Sequence, residues 1–299
     1  MRKTYWLMVV ASVQASTVVA GIRLHTVPDS VPIAYGANPI FDSVGALYVE
    51  ESPGVYSRGS GVLFDPDWAL VRAHQVVGNN GFGGGIESML FFTGADIANY
   101  SHRIEADIDD VIFHPLWEPG THPNQGWDVA LVKLAEPILD IVVAELYSGP
   151  TLPADTQVEI AGYGMYGDGL SGAVGADFLR RAGANLIDGT GVGLIDPQFY
   201  RSNFDPPGLF SRALPNELHA APGDSGGGGF AVVDGRWQLV SHIDSVFGSG
   251  DLTRYLNDTI HHDVSTISDW AYASIPEPLT ISLLVLGAFA ARCKRRRPV

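Results

Sequence analysis

The chain has 299 residues, of which 46% are hydrophobic and 17% charged, with a formal net charge of −15. Such a composition excludes a disordered chain, and the acidic excess argues against a binder of nucleic acid or anionic membranes. Glycine (35) and proline (19) are plentiful, which favours many short elements joined by turns.

In chain order, the first segment, MRKTYWLMVVASVQASTVVA (1–20), carries Arg2 and Lys3 ahead of an apolar run and ends in small residues near Ala20. This is the outline of an export signal cut near Ala20. Short runs rich in Val, Ile, Leu and Tyr then recur between glycine and proline breaks: SVGALYV (43–49), SGVLF (60–64), VALVKL (129–134), VEIAGYG (158–164), FAVV (230–233) and WQLVSHI (237–243). Each has the length of a strand. Helix is expected only around Ala73–Val77 and over Ser265–Ala273, and the segment 185–215 is expected to form long loops. The prediction is an all-β sandwich or barrel fold with a C-terminal helix. The acidic run Asp107–Asp110 and the pair His261-His262 are expected in solvated turns. Nothing near the two histidines has metal-ligand spacing, so no metal or other cofactor is expected.

The chain closes on IPEPLTISLLVLGAFAARCKRRRPV, in which a largely apolar stretch of 13 residues, Leu279 to Ala291, precedes five basic ones. Thirteen residues are short for a membrane span, but the basic cluster would halt transfer. Pro-Glu-Pro, an apolar segment and a basic end, in that order over 276–299, resemble the PEP-CTERM sorting tail of Gram-negative bacteria. The resemblance implies export across the inner membrane to the cell envelope or beyond, transient anchoring through the tail, and a sorting enzyme of the exosortase type as partner. Without 1–20 and 279–299 the chain keeps 11 basic groups against 33 acidic ones, a net of −22. The one cysteine, Cys293, lies in the tail, so the exported part contains no disulfide and depends on burial for its stability.

The stretch APGDSGGGGF (221–230) sets one serine and one aspartate among five glycines. A phosphate-binding loop would need Lys followed by Ser or Thr and then a helix; here the next basic residue is Arg236, after the strand-like FAVV. A nucleophile suits the stretch better, because glycines allow a turn whose successive N–H groups point one way. Ser225 would present its hydroxyl while the N–H groups of Gly223 and Ser225 receive an oxyanion. A base and a group to orient it are then required. His74, in VRAHQVV, and Asp128, at the head of an apolar strand in WDVALVKL, supply both. A carboxylate so placed needs a strong partner, and an imidazole N–H is one.

GSGVLF, VRAHQVV, HP (114–115), WDVALVKL, IAGYG, PGDSGG and a late GDLTRY with ISDW follow in the order of the chymotrypsin/trypsin serine proteases, and the chain resembles that family over roughly 33–275. The resemblance implies two six-stranded antiparallel β-barrels, about 33–150 and 151–262, a terminal helix over 263–275, and an active site in the cleft between the barrels. Within the exported domain (21–275) it implies a catalytic triad of His74, Asp128 and Ser225 acting on protein or peptide substrates. It also implies substrate-binding roles for His219, six residues before the nucleophile at the pocket floor, and for Ser241 at the pocket edge. With His219 in place of an acid, a preference for Lys or Arg is not expected. A protonated histidine would favour an acidic or polar side chain, and a neutral one would simply line the pocket. Arg72 and Gln75 depart from the family's common residues, and neither is expected to touch the chemistry. In the family a newly cut N-terminal ammonium pairs with the aspartate before the serine, here Asp224; Ile33-Ala34-Tyr35-Gly36 is the candidate start.

Two other readings stand beside the serine endopeptidase: an inactive binding module that kept the scaffold, and an α/β-hydrolase esterase, since Gly223 to Gly227 also satisfies G-x-S-x-G. The esterase requires a helix directly after the serine.

Overall fold

Each of the six apolar runs falls, to within two residues, on a strand of the computed structural model, which describes residues 21–78, 85–119, 127–192 and 198–276. The export signal lies outside these residues, as does the sorting tail beyond Pro276.

The chain enters through β1 (Ile22–Arg23) and a helix α1 (Ser30–Gly36). Six strands follow: β2 (Val44–Ser52), β3 (Val55–Asp65), β4 (Trp68–Val71), β5 (Ser88–Thr93), β6 (His102–Phe113) and β7 (Ala130–Leu134). They close into a barrel in the order β2-β3-β4-β7-β6-β5. Closure leaves no exposed strand edge and explains why β4, WALV, is apolar throughout: all four of its residues are buried. The acidic run Asp107–Asp110 is not a turn. It lies in β6, where the register with β7 shifts between Ala106 and Val111.

The second half contains β8 (Gln157–Gly162), β9 (Tyr166–Asp168), β10 (Gly172–Gly175), β11 (Arg181–Leu186), β12 (Gly189–Val192), β13 (Gln198–Asn203), β14 (Leu218–His219), β15 (Gly228–Val233), β16 (Arg236–Phe247) and β17 (Asp258–Asp263). Seven of these form an open antiparallel sheet, β11-β8-β15-β16-β17-β13-β12, so this half is a half-barrel where a second closed barrel of six was expected. A small sheet, β10-β9-β1-β14, draws the start of the chain onto this half. The segment 185–215 is not all loop: β12 and β13 pair Gly189 with Arg201 through Val192 with Gln198 and add two strands to the sheet edge. His261 and His262 are buried in β17, not in a solvated turn. A short helix α2 (Ala73–Val76) follows β4, and α3 (Ser268–Ser274) ends the described chain, both near their expected positions.

The halves share one apolar core in which Leu70 and Leu131 of the barrel cluster with Phe230 and Leu239 of the open sheet. Phe41 bridges edge-to-face onto Phe230 at 5.9 Å and Trp237 at 6.1 Å. In place of a disulfide, a fully buried guanidinium crosses the junction. Arg180 donates to Gly36 O at 2.7 Å, Val44 O at 3.0 Å and Asp42 Oδ1 at 2.7 Å. Burying such a charge costs free energy, and the carboxylate and the two carbonyl partners offset it.

Candidate active site

Strand pairing brings the first two residues together. β4 and β7 run antiparallel with Val71 opposite Ala130, so the chain leaving β4 and the chain entering β7 lie at the same end of the barrel. His74 is three residues past Val71 and Asp128 two residues before Ala130. Asp128, 2% exposed, accepts the backbone N–H of His74 on Oδ1 at 2.8 Å and contacts the ring Nδ1 through Oδ2 at 2.5 Å. Burial raises the pKa of this carboxyl, but the His74 hydrogen bonds and the nearby Arg72 charge more than reverse that, so it is held below the usual carboxylate range. An ionised Asp128 accepts, so Nδ1 carries the proton and Nε2 keeps a lone pair for proton abstraction. The His74 side chain is 41% exposed and open to a substrate.

Ser225 sits in the turn ahead of β15. Gly223 has φ +94° and Gly226 φ +84°, the left-handed region that glycine enters freely. A Cβ on Gly226 would lie 2.1 Å from Ser60 O, so this turn also needs glycine for space. The turn is held from behind by the barrel. Ser60 Oγ donates to Gly223 O at 3.0 Å, Ser60 N–H to Ser225 O at 2.9 Å, and Gln75 Nε2 to Ser225 O at 2.6 Å. The carbonyls are thus engaged, whereas the N–H groups of Gly223 and Ser225 donate to no acceptor among the described residues. That is the arrangement an oxyanion requires.

His74 and Ser225 line one cleft of about 200 Å³ with Ala220, Ala221, Pro222, Ile243, Asp244, Ser245 and Val246. Ser225 Oγ donates to Asp244 O at 3.2 Å. A hydroxyl held by a carbonyl in place of the imidazole is in keeping with the loose catalytic hydrogen bonds of ligand-free sites.

Neither His219 nor Ser241 reaches the wall of this cleft. His219 is fully buried, its Nε2 at 2.9 Å from Leu252 O, its Nδ1 at 2.9 Å from Thr259 Oγ1, and its ring stacked on Phe204. Burial pushes it down to about 4, so it is neutral at ordinary pH and contributes no charge to a substrate. Ser241 is buried behind the cleft with its Oγ at 3.3 Å from His261 Nδ1. Beyond the register shift between Ile243 and Ser245 in β16, the cleft edge is formed by Asp244, Ser245 and Val246.

Arg72 and Gln75 do touch the machinery. Gln75 Oε1 accepts the Arg72 N–H at 3.0 Å while its Nε2 holds Ser225 O, so one amide ties the histidine-bearing turn to the serine-bearing one. Arg72 is fully buried, lies 3.7 Å from Asp128 Oδ2 and forms an ion pair with Asp244. Both pairs join residues far apart in the sequence, and the signal that reveals them is a buried charge that needs a partner.

Asp224 faces away from the cleft. It accepts Gly164 N–H at 2.7 Å, Ala221 N–H at 2.9 Å and Gly21 N–H at 3.1 Å. Ile33 does not take the place of a newly cut start, because it lies within α1; the backbone nitrogen that reaches Asp224 is that of Gly21, the residue after the expected signal cut. Burial holds the Asp224 carboxyl up at about 6 despite these donors. β15 begins three residues after Ser225, so the helix an α/β-hydrolase places after its serine is replaced here by a strand.

A solved structure titled HL collagenase matches 80% of this chain and 96% of its own at 18% identity, with a TM-score of 0.57, a likeness of fold. No curated protein matches the chain. The family model described as Trypsin matches residues 41–236, which include all three residues of the His74–Asp128–Ser225 constellation. The chain belongs to the trypsin family of serine proteases.

Proposed function

We propose that the chain is a serine endopeptidase with His74, Asp128 and Ser225 as its catalytic triad. The observation that carries this reading is the 2.5 Å contact between His74 Nδ1 and Asp128 Oδ2 at the edge of a cleft that also holds Ser225. Ser225 Oγ attacks the peptide carbonyl as His74 Nε2 takes its proton, and the Gly223 and Ser225 N–H groups receive the oxyanion. His74 then protonates the leaving amine, and the acyl-enzyme is cleared by water activated in the same way.

The cleft walls suit a small uncharged side chain next to the scissile bond. Ala220, Ala221, Pro222, Ile243 and Val246 are apolar, and Asp244, the one acidic residue of the lining, keeps its side chain fully buried and paired to Arg72. Alanine or valine at that position would fill the cleft, and Lys, Arg, Asp or Glu would enter it without a partner. A peptide series varied at that residue tests this, with alanine and valine peptides cleaved at least about tenfold faster than lysine or glutamate ones. Cleavage that survives in a folded Ser225→Ala protein would overturn the proposal as a whole.

Export fits this reading. Removal of residues 1–20 would leave Gly21 as the first residue, with its ammonium at Asp224, and the tail over 276–299 would hand the protein to an exosortase-type enzyme at the inner membrane of a Gram-negative bacterium.

A further inference from the structure

We propose that Arg72 and Asp244 form a buried positioning pair that sets the charge behind Asp128 and so tunes the proton transfer of His74. The inference rests on the serine hydrolase reading of the site. Neither residue touches a substrate through its side chain; both act through Asp128.

Three side chains meet behind the imidazole. Arg72 is 0% exposed, Asp244 1% and Asp128 2%. The Arg72 Nε lies 3.7 Å from Asp128 Oδ2, the same oxygen that contacts His74 Nδ1, and the Nη2 of the guanidinium pairs with Asp244. A lone cation in that position would draw electron density from the oxygen that must stabilise imidazolium. Asp244 cancels that charge. With both present, the unit of Arg72, Asp128 and Asp244 carries one net negative charge, as a lone aspartate would, and returns to neutrality as His74 takes its proton. Burial lowers the guanidinium to about 10, against the opposing pull of Asp128, so it remains a cation at working pH.

The other groups around the guanidinium add no charge. His242 and His262, from β16 and β17, are held well below their ordinary range, first by burial and then by Arg72 itself. His114, which acts on His262, is pushed down to about 4 by burial. His74 is therefore the histidine of this cluster whose protonation the pair can tune. The main chain of Asp244 adds a second link, because its carbonyl accepts the Ser225 hydroxyl at 3.2 Å. One residue thus positions the nucleophile through its backbone and balances the base through its side chain.

The test is a double-variant cycle on the full domain: Arg72→Met, Asp244→Asn and the two combined, each with folding checked by circular dichroism. The readouts are the pH profile of kcat/KM and the rate of fluorophosphonate labelling. Asp244→Asn leaves the cation uncompensated, so the acidic limb moves to lower pH by about one unit and kcat/KM falls at least tenfold. Arg72→Met leaves two carboxylates side by side and moves the limb to higher pH. The combined variant returns the limb close to its original position and recovers most of the loss, because a buried pair replaced as a unit is tolerated where a half-pair is not. A merely structural pair would lower folded yield without moving the limb in opposite directions. Limbs unchanged in both single variants, or losses that simply add in the combined one, overturn the proposal.

Should a single variant fail to fold, the Nδ1–H proton resonance of His74 in the combined variant decides. A position matching wild type supports the pair, and a displaced one contradicts it. An unmodified protein that neither labels nor cleaves removes the hydrolase reading itself, whereas an active one with unmoved limbs removes only the pair.

Discussion

The Asp224 carboxyl makes a measurable prediction about the start of the chain. It is fully buried and accepts three backbone N–H groups, Gly21's among them, yet burial holds it up at about 6 against an ordinary value of 3.8. A carboxyl raised in the folded state contributes stability that is complete below its unfolded value and is lost as pH rises through the folded one. With an amide at Gly21, ionising Asp224 between pH 4 and 7 therefore costs about 3 kcal/mol, from two-odd units at 1.36 kcal/mol each. With a free ammonium at Gly21, the ionised carboxylate gains a buried counter-charge and most of that loss disappears.

The comparison needs two chains that both begin at Gly21, one with a free amine and one acetylated. Urea unfolding from pH 4 to 7.5 should show the acetylated form falling behind by up to about 3 kcal/mol as pH rises through 6. Asp224→Asn should erase the difference between them. Superposable pH–stability curves for the free and acetylated chains would refute the reasoning.

Other consequences follow from the same geometry. Asp128→Asn leaves the shape of the site but offers His74 Nδ1 an N–H donor as readily as an acceptor, so the wrong tautomer is populated; kcat should fall about 10³–10⁴-fold with little change in thermal unfolding. Arg180→Met removes a buried cation that binds Gly36 O, Val44 O and Asp42, which strips the junction of its hydrogen bonds; denaturant unfolding should show a loss of about 3 kcal/mol.

What was legible in the sequence follows from where the determinants lie. The His74 turn, the head of β7 and the glycine turn are each encoded within a few residues, so local chemistry exposed them, and the runs of β4, β7 and β15 are apolar enough to be recognised as strands. β12 and β13 were not, because GTGV offers no alternation and becomes a strand only by pairing with 198–201. α1 was missed since SVPIAYG is short and carries a proline, which its first turn accepts without a lost hydrogen bond.

Counting along the chain located three residues that meet at one cleft, His74, Asp128 and Ser225, but not the cleft wall. Ser241 pairs in register with Asp263, and Asp244, at the register shift that follows it, lies at the edge assigned to Ser241. The Arg72–Asp244 pair was illegible because its two halves lie on different halves of the fold, and only burial shows that each needs the other.

The central claim is that the Ser225 hydroxyl is a nucleophile driven by His74. Fluorophosphonate labelling of the domain over 21–275, with the adduct mapped by mass spectrometry, tests it most directly. The account predicts one adduct, on Ser225, lost in Ser225→Ala and slowed by about 10³-fold or more in His74→Ala while both variants stay folded. A folded wild-type domain with Ser225 unmodified, or one labelled equally fast without His74, would contradict it.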